Sequence, residues 1–214
     1  GVQVEYGKKI GQDITIQDLR EQYDAVLITI GASTDKKLGL EGEDSEGVMS
    51  AVQFLRNIGK NIITDLTGKE VAVIGGGNVS MDAVRTAKRL GAKKVSIVYR
   101  RRMADMTALP GEINGAVAEG IELQTLKAPA TIDVDENNHV KGIYVTPQMV
   151  STIKNGRASV RPTGEDDIYI PCDVLVVAIG QNIETAHFEA AGIPVSRGKI
   201  LTTSTGAVED MPDV

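Results

Sequence analysis

Aromatic residues and cysteines are scarce in this chain of 214 residues. Tryptophan is absent and aromatic residues make up 3% of the sequence, so broad stacking surfaces for single-stranded nucleic acid are not expected. Cys172 is the only cysteine, which excludes an internal disulfide framework and a cysteine-ligated cluster. No apolar run approaches the roughly 20 residues of a membrane-spanning helix. Without a signal-peptide pattern, we expect a cytoplasmic protein with no membrane partner.

The overall charge argues against a polynucleotide partner as well. The formal net charge is −6, while hydrophobic residues make up 42% of the chain and suffice for a core. Positive charge is concentrated in three consecutive arginines, Arg100–Arg102. A generally acidic chain with one basic cluster is typical of a local anion site.

A glycine loop follows an apolar strand at Val71–Ile74. Gly75, Gly77 and Ser80 occupy the three small positions of the pattern G-x-G-x-x-G/A. In that pattern the first glycine permits the tight turn, the second lets a pyrophosphate approach the backbone, and the third small residue lets the helix pack closely on the strand. The N-terminus of the helix then offers free N–H groups and a partial positive charge to the phosphates.

The residues around the loop have the required context. Val79, Ala83, Ala87 and Leu90 recur at helical spacing, and a second apolar strand ends at Tyr99. Strand, glycine loop, helix and strand in this order indicate a dinucleotide-binding site. The alternative is a glycine-rich strand-to-helix turn that binds no ligand.

The end of the second strand indicates which dinucleotide is bound. NAD sites place Asp or Glu there to accept hydrogen bonds from the ribose 2′-OH, whereas this chain has Tyr99 followed by Arg100–Arg102. Guanidinium groups bind phosphate in a bidentate fashion, so we predict NADP(H). A solvated basic loop is the alternative. Three arginines exceed the needs of one phosphate, so we expect at least one to face solvent or to pair with Asp105 or Glu112.

The remaining patterns predict an α/β fold, a Rossmann-like three-layer dinucleotide-binding domain with an antiparallel β-meander. The predicted elements are a strand at Val2–Ile10, a helix at Asp13–Gln22, a strand at Tyr23–Ala32, a linker at Ser33–Gly47, a helix at Ser50–Lys60, a helix within Leu109–Leu123, the meander at Ala128–Ile170, a strand at Cys172–Gln181 and a helix at Thr185–Ala191.

Two predicted strands repeat one pattern. Asp24–Gly31 reads DAVLITIG and Asp173–Gly180 reads DVLVVAIG. Each is an Asp, a buried strand and a final Ile-Gly. Two interpretations stay open: any two buried strands look alike, or each strand closes a separate nucleotide-binding sheet.

The segment from Val71 to Arg102, with the later EGIEL at Glu119–Leu123, resembles the pyridine nucleotide domain of the glutamate synthase small (β) subunit. Similar domains occur in dihydropyrimidine dehydrogenase and in NADPH-dependent ferredoxin oxidoreductases, within the pyridine nucleotide-disulfide oxidoreductase superfamily. The motif GGGNVSMD and the Tyr-Arg-Arg after the second strand carry the resemblance, which covers nearly the whole chain.

The resemblance implies a particular domain organisation. In that family the NADPH domain interrupts an FAD domain, so residues 67–183 would form an NADP(H)-binding domain. Residues 1–66 would be a partial FAD-domain segment with a linker, and residues 184–214 would return toward the FAD domain. The FAD motifs and the iron–sulfur segment of the family are not seen in this sequence. The chain would then be a fragment whose parent holds FAD and, in some members, iron–sulfur clusters.

The parent would pass hydride from NADPH to FAD and electrons to a larger catalytic subunit or an iron–sulfur carrier. Because the cofactors carry this chemistry, we nominate no catalytic acid, base or nucleophile. By resemblance, Gly180 and Gln181 would lie near the nicotinamide and Gly31 near the domain junction or flavin. The predicted cofactor-binding residues are Gly75, Gly76, Gly77, Asn78, Val79, Ser80, Tyr99, Arg100, Arg101, Gly180, Gln181 and Gly31.

Other candidate residues have simpler interpretations. His139 and His187 are far apart and lack ligand-spaced companions, so we predict surface positions for both and no metal site. Cys172 precedes a buried strand and is expected to be inert. Two functional alternatives remain open. One is a dinucleotide-fold interaction module that binds no cofactor, and the other is an NAD-dependent enzyme with incidental arginines.

Overall fold

The computed structural model describes residues 1–32 and 34–214 and divides the chain into two compact units. The larger unit comprises residues 35–180, and the smaller unit comprises residues 1–34 and 181–214. The helices are α1 (Ile16–Gln22), α2 (Ala51–Gly59), α3 (Asn78–Arg89), α4 (Pro110–Ala118) and α5 (Ala186–Ala190), with a short 3-10 helix at Met103–Asp105. The strands are β1 (Thr34–Asp35), β2 (Val48–Ser50), β3 (Glu70–Ile74), β4 (Lys94–Tyr99), β5 (Glu122–Thr125), β6 (Lys127–Val134), β7 (Val140–Lys154), β8 (Arg157–Pro162), β9 (Ile168–Pro171), β10 (Val174–Val177), β11 (Gln181–Asn182), β12 (Val195–Ser196) and β13 (Lys199–Ile200).

A five-stranded parallel sheet in the order β2-β10-β3-β4-β5 forms the centre of the larger unit. The three inner strands, β10, β3 and β4, are mostly apolar and buried, as expected for parallel strands covered on both faces. Ala72 and Val73 are neighbours in β3 that point to opposite faces, and both are fully buried.

Helices cover one face of this sheet. Phe54 of α2, Met81 of α3 and Ile113 of α4 pack with Val73 and Ile97 in one core. Apolar residues on α3 recur at three- and four-residue intervals and so fall on a single stripe. The side-chain hydroxyl of Ser50 accepts a hydrogen bond from the Gln53 N–H and caps α2, as the predicted helix boundary requires.

Antiparallel strands cover the other face. β7 pairs with β6, β8 and β9 in antiparallel fashion, which confirms the predicted meander. Ile143, Val145 and Ile170 pack against Ala72 and Val98 of the parallel sheet in a second core. Helices, parallel sheet and antiparallel strands therefore make three layers, and the predicted α/β three-layer fold is confirmed.

The smaller unit has a core of its own. Ile16, Phe188, Ile193 and Val208 are buried together. The predicted first helix is confirmed as α1, and Thr15 caps it through a reciprocal pair of hydrogen bonds with Asp18. The predicted helix near the C-terminus is confirmed as α5.

Two strand predictions in the smaller unit are wrong. Tyr23–Ala32 and Val2–Ile10 form no named strand, and Leu27 is 87% exposed. A buried strand needs neighbours on both sides, and in the described residues the Tyr23–Ala32 segment has no ladder partner. Its Val26 N–H donates to the Asp213 carbonyl oxygen at 2.7 Å instead. Only one of the two repeated patterns therefore lies in a sheet.

The predicted linker lies mostly outside regular structure. Ser33, its first residue, falls outside the described residues, and residues 36–47 contain no helix or strand. The larger compact unit begins before residue 67, the predicted start of the nucleotide domain, because β2 pairs with β10 at the edge of the sheet.

Candidate functional site

Gly75 and Gly76 must be glycines because of packing within the protein itself. A Cβ on Gly75 would lie 2.4 Å from the Ala178 carbonyl oxygen and 2.5 Å from Ser80 Oγ, and its φ is +148°. A Cβ on Gly76 would lie 2.7 Å from the Tyr99 ring. Contacts this short would displace backbone or a buried ring, so a side chain is excluded at both positions whether or not a ligand binds.

Packing within the chain does not require a glycine at position 77. A Cβ on Gly77 would lie 3.5 Å from Thr107 Oγ1, which is an ordinary contact, and its φ of −100° suits any residue. The space in front of Gly77 is therefore open on the protein side. This is the position at which the G-x-G-x-x-G/A pattern needs a bare backbone for a pyrophosphate.

Gly77 is also the N-cap of α3, and no side chain among the described residues caps this helix. Thr15 caps α1 and Ser50 caps α2, whereas the N-cap residues of α4 and α5 also make no side-chain cap. The N–H groups of Asn78 and Val79 have no acceptor among the described residues, whereas the Ser80 N–H donates to the Gly77 carbonyl at 3.0 Å. The two free N–H groups lie at the positive end of the helix dipole, a combination that binds anions. Ser80 is fully buried beneath the turn, and its hydroxyl has no partner among the described residues.

The segment after β4 folds back onto the glycine loop. The Gly76 carbonyl accepts hydrogen bonds from the N–H groups of Thr107 at 2.9 Å and Ala108 at 3.1 Å. The side-chain oxygen of Asn78 accepts a third from the Leu109 N–H at 2.9 Å. Residues 107–109, at the end of the segment that begins with the arginines, are thereby hydrogen-bonded to the predicted phosphate loop.

Arg102 is committed to an internal ion pair. Its Nε and Nη2 donate to the two carboxylate oxygens of Asp105 at 2.7 and 2.9 Å. The guanidinium group, with the Ala158 N–H, holds the pKa of the Asp105 carboxyl far below its usual range. The expectation that one arginine pairs with Asp105 or Glu112 is confirmed here. Glu112 pairs with Arg85 of α3 instead.

Arg100 and Arg101 keep positive charge available. Arg101 donates from Nε to the Ala158 carbonyl oxygen at 2.9 Å, and in the described residues no carboxylate lies within ion-pair distance of it. Arg100 is exposed, and within the same residues it has neither a salt bridge nor a side-chain hydrogen bond. Guanidinium groups without a carboxylate partner at the end of β4 are suited to binding a phosphate.

Tyr99 lies under the loop. It is 8% exposed, its ring faces Gly76, and its hydroxyl donates to the Asp105 carbonyl oxygen at 2.7 Å. The hydroxyl is therefore already used within the protein. The position of Tyr99 favours a support for the arginine segment over a direct polar contact with a dinucleotide.

The remaining predicted residues are distributed over both units. Val79 packs its side chain on the helical core, which leaves only its backbone for a ligand. Gly180 follows β10 with a φ of +122°, and its carbonyl accepts from the Lys36 N–H. Gln181 and Gly31 belong to the smaller unit. The involvement of all these residues in binding stays a prediction.

Residues outside the site behave as structural groups. His139 is half-exposed beside Glu46, with 3.0 Å between Nε2 and the carboxylate. Burial raises the pKa of the Cys172 thiol to about 12, which makes it unreactive at neutral pH. Within residues 1–32 and 34–214, no three metal-ligating side chains cluster, and no helix is long and apolar enough to cross a bilayer.

Ala158 and Thr107 belong to the site although no sequence pattern indicates them. Ala158 contacts both Arg101 and Asp105 through its backbone, although it lies 57 residues from Arg101 along the chain. A backbone contact made across such a separation leaves no mark on residue type. Thr107 lies beside Gly77, and only the folded segment brings it there.

Comparison with known proteins identifies the family of this chain. The family described as pyridine nucleotide-disulphide oxidoreductase matches residues 1–214. The chain is 34% identical over 217 residues to the NADP(+)-dependent formate dehydrogenase subunit beta of Moorella thermoacetica, covering 100% of this chain and 31% of that protein. It is 32% identical over 191 residues to the glutamate synthase [NADPH] small chain of Escherichia coli K12, covering 84% of this chain and 40% of that protein.

Among solved structures, Mycobacterium tuberculosis FprA in complex with NADPH is similar with a TM-score of 0.75. The sequence identity is 22%, covering 96% of this chain and 60% of FprA, so this likeness concerns the fold. The chain spans about a third of the length of the first curated relative. The resemblance to the glutamate synthase small chain and its superfamily is confirmed, whereas the relatives carry different names and leave the particular activity open.

Proposed function

We propose that this chain, which belongs to the pyridine nucleotide-disulphide oxidoreductase family, is the NADP(H)-binding part of a flavin-dependent oxidoreductase. Residues 67–183 would carry the nucleotide, and residues 1–66 and 184–214 would belong to the flavin-binding portion. The expected location is the cytoplasm.

The open backbone at Gly77 supports the pyrophosphate end of this proposal. Packing explains why Gly75 and Gly76 lack side chains, but it does not explain Gly77. A ligand that must approach the backbone closely does explain it, and the uncapped N-terminus of α3 lies at the same place. The pyrophosphate would be held by the N–H groups of residues 76–79, and Ser80, buried beneath the turn, would be the small residue that lets α3 pack closely on β3.

The arginine segment supports the choice of NADP(H). Among the described residues, no carboxylate pairs with Arg100 or Arg101, whereas Asp105 pairs with Arg102. Two guanidinium groups in this segment suit a ribose 2′-phosphate. The ribose of NADH has no phosphate at this position and would gain little from them. The names of relatives from Moorella thermoacetica and Escherichia coli also include NADP(+) or NADPH.

NADPH, when bound, would supply the hydride, and the residues of this chain would bind and orient it. FAD would belong to the whole parent protein, with Gly31, Gly180 and Gln181 near the flavin or nicotinamide. A partner subunit or iron–sulfur carrier is supported by relatives named as a subunit beta and as a small chain. Glutamate synthase activity is one candidate for the parent.

Titration calorimetry with NADPH and NADH tests the cofactor assignment. We expect NADPH to bind this chain at least about tenfold more tightly than NADH, a difference of roughly 1.4 kcal/mol. The double variant Arg100→Ala/Arg101→Ala should lose that preference. Equal binding of NADH by the unaltered chain would favour the NAD-dependent alternative, and no binding of either would favour the interaction module.

A pair of glycine variants tests the loop separately. Gly77→Ala should fold with a loss of stability of no more than about 1 kcal/mol, since alanine is a poorer N-cap than glycine. It should lose most NADPH affinity, because its Cβ would occupy space that the ligand needs. Gly75→Ala is the matched control and should lower stability by about 1–3 kcal/mol from overpacking, with or without ligand. A Gly77→Ala variant that binds NADPH normally would contradict the pyrophosphate position.

A further inference from the structure

Asp105 is the most densely bonded side chain near the arginine segment. Its carboxylate is buried and accepts from Arg102 Nε and Nη2, from the Arg102 N–H at 3.2 Å and from the Ala158 N–H at 2.8 Å. Its own carbonyl accepts from the Tyr99 hydroxyl. One residue thus joins the end of β4, the arginine segment and β8.

Ala158 extends this set of contacts to Arg101. Its N–H donates to Asp105, and its carbonyl oxygen accepts from Arg101 Nε at 2.9 Å. A guanidinium group held through Nε keeps its two terminal nitrogens free in a fixed plane. The orientation of Arg101 therefore depends on where β8 lies, and the Asp105 carboxylate fastens β8 at that residue.

The pairing of Asp105 with Arg102 has a second effect. Their charges cancel, so the carboxylate does not oppose an incoming phosphate, and the net positive charge of the segment stays on Arg100 and Arg101. Recognition by a planar bidentate donor depends on its orientation as much as on its charge. An aligned Arg101 thus favours a 2′-phosphate more than a mobile one of equal charge.

We propose that Asp105 is a positioning residue that sets the preference for NADPH over NADH, by holding β8 so that the Ala158 carbonyl orients Arg101. This rests on the proposed function, because it assumes that Arg101 meets the 2′-phosphate. Asp105 itself touches no ligand in this scheme.

The test measures dissociation constants for NADPH and NADH by calorimetry on the whole chain and on Asp105→Asn, which keeps the shape and removes the charge. We expect the NADPH-to-NADH preference to fall about tenfold while NADH affinity stays within about twofold. Glu112→Gln is the matched control, because it breaks the ion pair that Glu112 makes with Arg85 of α3 and leaves the arginine segment alone. It should leave both constants unchanged.

A double-mutant cycle shows whether the effect passes through Arg101. Arg101→Lys keeps the positive charge but lacks the Nε–H donor for Ala158. On the Arg101→Lys background, Asp105→Asn should produce little further loss of preference, since the two changes interrupt the same chain of contacts. If Asp105→Asn does not fold, Arg102→Lys replaces it in the cycle, because it retains both charges and loses the bidentate geometry.

Several results would overturn the inference. A folded Asp105→Asn with an unchanged preference, or with one increased by the released Arg102, would show that Asp105 does not orient Arg101. Parallel loss of NADPH and NADH affinity would indicate a structural role only, and additive losses in the cycle would exclude action through Arg101. Absence of any NADPH preference in the unaltered chain would instead refute the proposed function, and this inference with it.

Discussion

The segments Tyr23–Ala32 and Cys172–Gln181 share a sequence pattern and differ in structure. Val176, in the second, is fully buried between β2 and β3, whereas Leu27, at the equivalent place in the first, is 87% exposed. Both segments are apolar and β-branched, so local propensity does not separate them. The difference teaches that a parallel strand exists where neighbouring strands supply hydrogen bonds and cover both of its faces.

Amide hydrogen exchange should show the largest difference between the two segments. The Val176 N–H lies within a paired sheet, while the Leu27 N–H has no acceptor among the described residues. We expect exchange at Val176 to be slower by about 10³-fold or more, because core amides open only on global unfolding. Comparable protection at Leu27 would break the comparison, since it would mean that Tyr23–Ala32 pairs as a strand in solution.

Truncation of matched side chains should give the next largest effect. Val176→Ala removes two buried methyl groups and leaves a cavity, so we expect a loss of about 2 kcal/mol in the free energy of unfolding. Leu27→Ala should change it by no more than about 0.5 kcal/mol, because the side chain is exposed. Urea unfolding curves of the two variants measure both values, and similar losses would contradict the assignment of burial.

Substitution of the aspartates that begin the two segments should give a smaller difference in stability. The Asp173 carboxylate accepts a hydrogen bond from the Glu70 N–H at 2.8 Å, next to the start of β3. Asp24 accepts none in the described residues. Asp173→Ala should therefore cost about 1 kcal/mol of stability and Asp24→Ala close to nothing. A thermal-shift assay with both variants side by side checks this, and equal shifts would argue against the Glu70 contact.

Cys172 and Tyr23 are the residues before these aspartates. The effect on stability expected at this position is the smallest of the series at moderate pH. Burial raises the pKa of the Cys172 thiol from 9.0 to about 12. Since the folded state retains the proton, this contribution to stability is complete below pH 9 and is lost as the pH rises from 9 through 12. The loss would be about 0.4 kcal/mol at pH 9 and would grow above it.

Cys172→Ala should remove this part of the alkaline destabilisation, which is measured by urea unfolding at pH 7, 9 and 10. Leu27→Ala, at an exposed position of the other segment that carries no titratable group, is the control and should leave the pH dependence unchanged. An identical alkaline loss in Cys172→Ala and the unaltered chain would show that the thiol is not the group responsible.

The parts of the fold that could be predicted are those specified by local pattern. The α3 stripe, the N-caps Thr15 and Ser50 and the Asn155-Gly156 turn between β7 and β8 follow from residue type and spacing over a few positions. The strand predicted at Tyr23–Ala32 failed because its pattern is local and its partners are not. For the site, the glycine loop and arginines were evident in the sequence, whereas Ala158 was not, because its contribution is a backbone group brought from 57 residues away.

The sequence by itself determined the family, the three-layer α/β class and the positions of the glycines and arginines, since these depend on residue type at short spacing. Only the tertiary structure decided which glycine is left open, which arginine is neutralised and which repeated segment becomes a strand. Those outcomes depend on contacts such as Gly75 with Ala178, Arg102 with Asp105 and β10 with β3, and such contacts exist only after the chain has folded.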